Sequence, residues 1–333
     1  RHRRLTVFLG YNCRDTIERG SMYRHLRIRM TLMLICAVAL TATHRVSTTE
    51  NAMIEMADRF LKALSTEQKM ATQYNFDAKQ RTLWHFVPDK FFKEHYNFRR
   101  PGLNYKGMNG EQQRLAEALL STGLGNSGFL KAMTVMSLEE VLRIQEQDTA
   151  GRRDTDKYYF SIYGSPGTDT TWGWRVEGHH LSLHYTLRNG QLIAASPTFF
   201  GANPHKILVG SRKGLRALAR EEDLARTLVK SLDPRQRKKA LVSEKAPRDI
   251  LTSADTQAEL ENQPPGLSAS KMDANQFRIL LALVDEYADN MPGKVATQRR
   301  DGELVSLGCI GHLKALPSSR SIHEDWFPVY QQL

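Results

Sequence analysis

The stretch from Trp172 to Ala195, WGWRVEGHHLSLHYTLRNGQLIAA, leaves this chain few ways to fold. Asn189 and Gly190 stand between two apolar runs, and Asn-Gly suits a two-residue hairpin turn because both central positions need positive φ. Side chains alternate faces along a strand. Unbroken alternation from Trp174 to Tyr185 would leave neither face apolar, because Trp174 and Val176 would share one face with His180, Ser182 and His184. A one-residue bulge near Gly178 removes the conflict, since glycine suits a bulge and the extra residue flips the parity. Trp174, Val176, Leu181, Leu183, Tyr185 and Leu187 then face the core. Arg175, Glu177, His180, Ser182 and His184 face the other way, with Glu177 close to His180. Leu187 is expected opposite Leu192, and Tyr185 opposite Ala194.

The flanking segments change period. NAMIEMADRFLKAL places Met53, Ala57, Phe60 and Leu64 on one helical face. A helix is expected over EQQRLAEALLSTGL, ended by Gly123 and Gly125, and GFLKAMTVMSLEEVLRIQEQ is helical, with Ser137 and Glu140 spaced as a capping box. KYYFSIYG is rich in strand formers. Helices return at GLRALAREEDLARTLVKSL, at DPRQRKKAL with Asp233 as N-cap and Pro234 in the first turn, and at SKMDANQFRILLALVDEYADNM. The reading is an α+β fold in one domain, a central antiparallel sheet including the hairpin, with helices on both sides.

The formal net charge of +11 suggests nucleic acid until its location is considered. Residues 1–47 hold nine Arg against Asp15 and Glu18, a net of +7, which leaves +4 for the remainder. A near-balanced body argues against phosphate-backbone binding, so no nucleic-acid partner is expected. Met22 fits as a start, with residues 1–21 a non-native leader. MYRHLRIRM then reads as a basic n-region and TLMLICAVALTA as the apolar core of a signal peptide over residues 22–42. Cleavage fits after Ala39 or after Ala42, and an uncleaved anchor is the alternative. The expected location is secreted or periplasmic, with no stable membrane span once the signal is removed. Only Cys309 would remain of the three cysteines, so no internal disulfide can form.

The pieces RTLWHFVP (Arg81 to Pro88), RPGL (Arg100 to Leu103), MSLEEVL (Met136 to Leu142), YYFSIYGSP (Tyr158 to Pro166), WGWRVEGHHLSLHYTL (Trp172 to Leu187), PTFFGANP (Pro197 to Pro204), GLRALAREEDLA (Gly214 to Ala225) and YADNMP (Tyr287 to Pro292) resemble the family called domain of unknown function 3500. The resemblance covers residues from about 50 to 292 and implies no established reaction. Where this chain has His184, members of that family usually have Asn, which weighs against His184 as a site residue. The family continues past Asn-Met-Pro into further strands with a His-rich ending. Residues 293–333 here do not resemble that ending and read as an atypical, frameshifted or truncated tail, expected to pack poorly. The expected domain is 48–292.

Glu177, His179 and His180 are the candidate catalytic and metal-binding residues. A carboxylate and two imidazoles so close together suit either a divalent transition metal such as zinc, copper or iron, or a Glu–His acid–base pair. His180 and His184 lie four residues apart, roughly 13 Å along a strand at 3.3 Å per residue, too far to share one ion readily. A third ligand would come from elsewhere, with His85 and His95 as weaker candidates. Two functions stay open. One is an exported metal-dependent enzyme, hydrolytic or oxidative, acting on an unknown substrate. The other is a non-catalytic secreted binding or scaffold protein with a structural histidine cluster.

Overall fold

The computed structural model describes residues 48–245, 249–250, 253–257 and 266–306, the last four as backbone only. The expected leader, signal peptide and Cys309 lie outside the described residues, as does the tail beyond 306.

One sheet organises the domain. β3 (Tyr159–Tyr163), β4 (Thr171–Gly178) and β5 (Leu181–Arg188) run antiparallel in that order. β6 (Gln191–Ala194) and β7 (Thr198–Phe200) both pair with the far side of β5, at opposite ends of it. β2 (Leu103–Asn104) pairs antiparallel with β3, while β1 (Gln73–Tyr74) pairs with it in parallel. The sheet is therefore mixed at one edge, within an α+β fold.

Trp172, Trp174 and Val176 of β4 stand opposite Leu187, Tyr185 and Leu183 of β5. All six are buried. Their apolar face packs on α1 (Thr49–Ala63), α4 (Gly110–Thr122) and α5 (Asn126–Gln145). Met53, Ala57, Phe60 and Leu64 are buried on α1 as their spacing predicts. Trp174 and Tyr185 stack at 4.2 Å, and Tyr185 Oη donates to Gly123 O at 2.8 Å. Gly123 has to be glycine, because a Cβ there would lie 2.5 Å from Tyr185 Cζ. Asn109 and Gln112 form the capping box of α4, whereas Ser137 sits in the middle of α5 and bonds Thr134 O, so no helix starts there.

The polar face of the sheet lies under a strap, residues 75–101, that includes α3 (Asp89–Tyr96). Arg175 Nη1 donates to Gln80 O (3.1 Å) and Leu83 O (2.7 Å), and Ser161 Oγ to Pro101 O (3.0 Å). On the helical side, α6 (Ala219–Ser231) and α8 (Ala274–Ala288) pack together around Leu228, Leu280 and Val284. Lys131 Nζ of α5 ties them in by donating to Glu221 (2.6 Å), Glu286 (2.7 Å) and Asn290 (2.9 Å). Asp233 caps α7 (Pro234–Ala240), with Pro234 in its first turn. Among the described residues no helix is long and apolar enough to cross a membrane.

The expected break at residue 292 is not a structural boundary. α9 (Gly293–Ser306) follows directly, buries Val295 and Ala296, and packs on α8. Arg299 Nη2 donates to Thr198 Oγ1 (2.9 Å) and to Ala195 O, which joins the helix to the β6–β7 edge. Within residues 293–302 the tail is a packed part of the domain.

Candidate functional site

Two hairpin turns, not one, interrupt the Trp172–Ala195 stretch. Asn189 (φ 50°) and Gly190 (φ 69°) form the expected turn. The other is His179–His180, between Gly178 and its partner Leu181. The bulge expected near Gly178 is therefore absent, and the chain reverses there. Reversal through a two-residue turn produces the same core face that the bulge was invoked to explain. The register shift that does occur lies between β5 and β6, where Leu187 pairs with Leu192 but Thr186 rather than Tyr185 pairs with Ala194. His180 takes φ 60°, a left-handed conformation that costs a non-glycine residue about 1–2 kcal/mol. Two backbone bonds hold it: His180 N donates to Phe86 O (2.7 Å), and Gly201 N donates to His180 O (2.8 Å).

This turn separates the three candidate residues. Glu177 is fully buried on the polar face, under the strap. Arg100 Nη1 donates to its Oε1 (2.5 Å), Ser182 Oγ donates to its Oε2 (3.0 Å), and His184 Nε2 lies 3.4 Å from Oε2. Burial alone would raise its pKa, but Arg175 and Arg100 outweigh burial and hold it at about 2. Glu177 is thus an ionised, fully engaged carboxylate that locks the strap to the sheet. Burial pushes His184 down to about 4, and it joins this network. The expected meeting of Glu177 with His180 does not occur.

His179 instead meets a residue that its neighbours in sequence give no hint of. Its Nδ1 lies 2.5 Å from Oε1 of Glu139, on α5. Arg153 Nη1 lies 3.2 Å from the same nitrogen, and Glu146 holds that guanidinium at 2.8 and 2.9 Å. One proton lies between Glu139 Oε1 and Nδ1, whose single lone pair cannot accept from the carboxyl group and from the Arg153 guanidinium at once. Burial, then Arg153, push His179 down to about 3, and burial pushes Glu139 up to about 7. Below about pH 7 that proton rests on the carboxyl group beside a neutral imidazole, and above it Glu139 ionises.

His180 lies edge to face with His179 at 4.1 Å, and burial pushes it down to about 3. Its Nδ1 is buried without a partner. His85 and His95 face each other at 5.1 Å on the strap, and His85 Nδ1 accepts from Phe86 N. Among the described residues no three His, Cys, Asp or Glu side chains are grouped to hold one metal ion. Beside His179 lies a shallow cleft, partly open to solvent and with room for about one water molecule, lined by Asp89, Glu139, Arg152, Asp154 and Lys157. Glu139 and Arg153 both escaped the sequence reading. Glu139 lies within the MSLEEVL motif, but helical spacing marks it only as one more polar position on α5.

Fold and site together define an α+β domain that carries a buried carboxyl–imidazole pair at a hairpin tip. Residues 47–304 match the family described as "Protein of unknown function (DUF3500)", and the chain belongs to that family. No curated protein and no solved structure matches it.

Proposed function

We propose that the protein is an exported enzyme of the hydrolytic kind whose chemistry is general acid–base proton transfer by Glu139 and His179. The 2.5 Å contact between Glu139 Oε1 and His179 Nδ1, beside an open cleft, carries this reading. His179 gives its Nε2 proton to a leaving oxygen of the substrate while the Glu139 proton passes to Nδ1. The pair ends as a carboxylate beside a neutral imidazole with Nε2 bare, ready to take a proton from water in the return step. Positioned proton transfer of this kind contributes about 10²–10⁴-fold to a rate.

The test is a hydrolase substrate panel run on the wild type, Glu139→Gln and His179→Asn. Gln can still donate to Nδ1 but cannot release a proton. Loss of activity in both folded variants supports the reading, and full activity in Glu139→Gln overturns it.

A divalent metal such as zinc, copper or iron at this tip would have to displace the Glu139 proton and sit against the Arg153 guanidinium, so proton transfer is the better supported of the two chemistries. Metal content of the purified protein separates them. If neither chemistry is found, the histidine cluster belongs to a non-catalytic binding or scaffold protein. Export rests on the pattern of residues 22–42, and N-terminal sequencing of the secreted protein tests it. A cytoplasmic product that retains those residues overturns it.

A further inference from the structure

We propose that the loop of residues 206–215, between β7 and α6, docks the protein on an anionic lipid surface. Its apolar tip enters the headgroup layer, and its lysines face lipid phosphates. The inference stands apart from the acid–base reading of Glu139 and His179.

The loop is closed and held to the domain at its base. Gly214 N donates to Ile207 O (2.8 Å) and Ile207 N to Leu215 O (3.0 Å), so the two arms pair below the tip. Ile207 is buried, but Leu208 and Val209 stand at the tip, 63% and 65% exposed. Arg212 fixes the loop to α5, its Nη1 donating to Ser137 Oγ (2.8 Å) and its Nη2 to Ser137 O (3.2 Å). Leu130 and Ile144, both exposed, lie seven residues to either side of Ser137. That spacing puts them on the same face of α5, each about 10 Å along the helix from Ser137. Four large apolar side chains thus stand exposed near one anchor point, where singly scattered ones are normal.

The charge around the tip has one sign. No Asp or Glu occurs from Gly178 to Arg220. Lys206 and Lys213 flank the tip, exposed and, among the described residues, without an ion-pair partner. Neighbouring acids are already paired, Glu140 with Arg143 (2.7 Å), and Glu222 and Asp223 with Arg216 (2.6 and 2.9 Å). An apolar tip flanked by cations complements a leaflet that presents phosphates over hydrocarbon. A second copy of the chain would bring the same lysines against these, so charge disfavours self-docking.

The experiment sediments the full chain with vesicles of phosphatidylcholine alone and of phosphatidylcholine mixed with phosphatidylglycerol, at low and high salt. Hydrogen exchange of residues 207–213 on the vesicles reports on the tip itself. Salt-sensitive binding to the anionic vesicles, with exchange slowed at 207–213, supports the proposal. Lys206→Gln with Lys213→Gln should weaken that binding roughly thirty-fold. Leu208→Ser with Val209→Ser should weaken it about ten-fold or more. All four positions are exposed, and both variants keep the Ile207 and Arg212 anchors, so the fold is retained. Equal binding to the two vesicles, no binding, unchanged exchange at 207–213, or wild-type affinity in either double variant overturns the proposal. So does a dimer, formed without vesicles, that Leu208→Ser with Val209→Ser abolishes.

Discussion

At the scale of single residues, the pH behaviour of Glu139 and His179 is the most exposed consequence of the structure. The proposed acid is competent while Glu139 is protonated and His179 is neutral. With pKa values of about 7 and about 3, activity should hold across the acid range and fall as pH rises through about 7. A pH–rate profile with its alkaline limb well above 7 contradicts the assignment. Stability follows the same groups with opposite signs. A carboxyl group whose folded pKa is raised stabilises the fold fully below its unfolded value, and that contribution is lost as pH rises through about 7. A histidine whose folded pKa is lowered stabilises above its unfolded value near 6.5, and that contribution is lost as pH falls toward about 3. Urea unfolding at several pH values should show Glu139→Gln abolishing the alkaline loss while leaving the acid loss in place. The strained turn gives a second check. A Cβ on Gly201 would lie 2.5 Å from His180 Nδ1. Gly201→Ala should therefore cost about 1–3 kcal/mol, and most of that cost should disappear in a His180→Gly background. Additive effects in that double-mutant cycle would show that the clash is relieved elsewhere.

At the scale of elements, the strap and the hairpin are joined through one buried charge cluster. Arg100 bonds Glu177, Asp89 and the carbonyls of His85 and Val87. Arg100→Ala removes the closest partner of the buried Glu177 charge and leaves only Arg175 beside it at 3.9 Å, so a loss toward the lower end of the about 3–5 kcal/mol usual for a broken buried pair is expected. Adding Glu177→Gln should recover part of the loss, because the underpaired charge is then gone. Thermal unfolding of the single and double variants measures both. How far such features can be read in advance varied along the chain. The Asn189–Gly190 turn was legible because its residue types meet the dihedral requirement. The His179–His180 turn was not, because a histidine at positive φ is sustained here by bonds to Phe86 and Gly201, residues far away in sequence. Membership of the core face was nonetheless recovered, since a bulge and a reversal change parity alike.

For the whole molecule, the place where the domain ends is the clearest test. α9 contributes Val295 and Ala296 to the core and, through Arg299, a bond to the edge of the sheet. A chain that stops after Pro292 uncovers the α8 face and the β6–β7 edge and should lose several degrees in Tm relative to the full chain. Equal midpoints by calorimetry would show that α9 adds nothing to the fold.

Sequence alone determined what depends on local pattern and on residue type. That covers the main helices and the cap at Asp233, the apolar face from Trp172 to Leu187, the α+β class and the family. Tertiary structure decided the chemistry. Glu177 and Glu139 are both buried glutamates, yet one is held near 2 by two arginines and the other is pushed to about 7 by burial. A carboxylate's role depends on the charges that packing brings within a few ångströms of it. One of those charges reaches Glu177 from Arg175 on its own strand, but the closer comes from Arg100, 77 residues away, and His179 meets Glu139 across 40 residues, separations at which no local pattern persists.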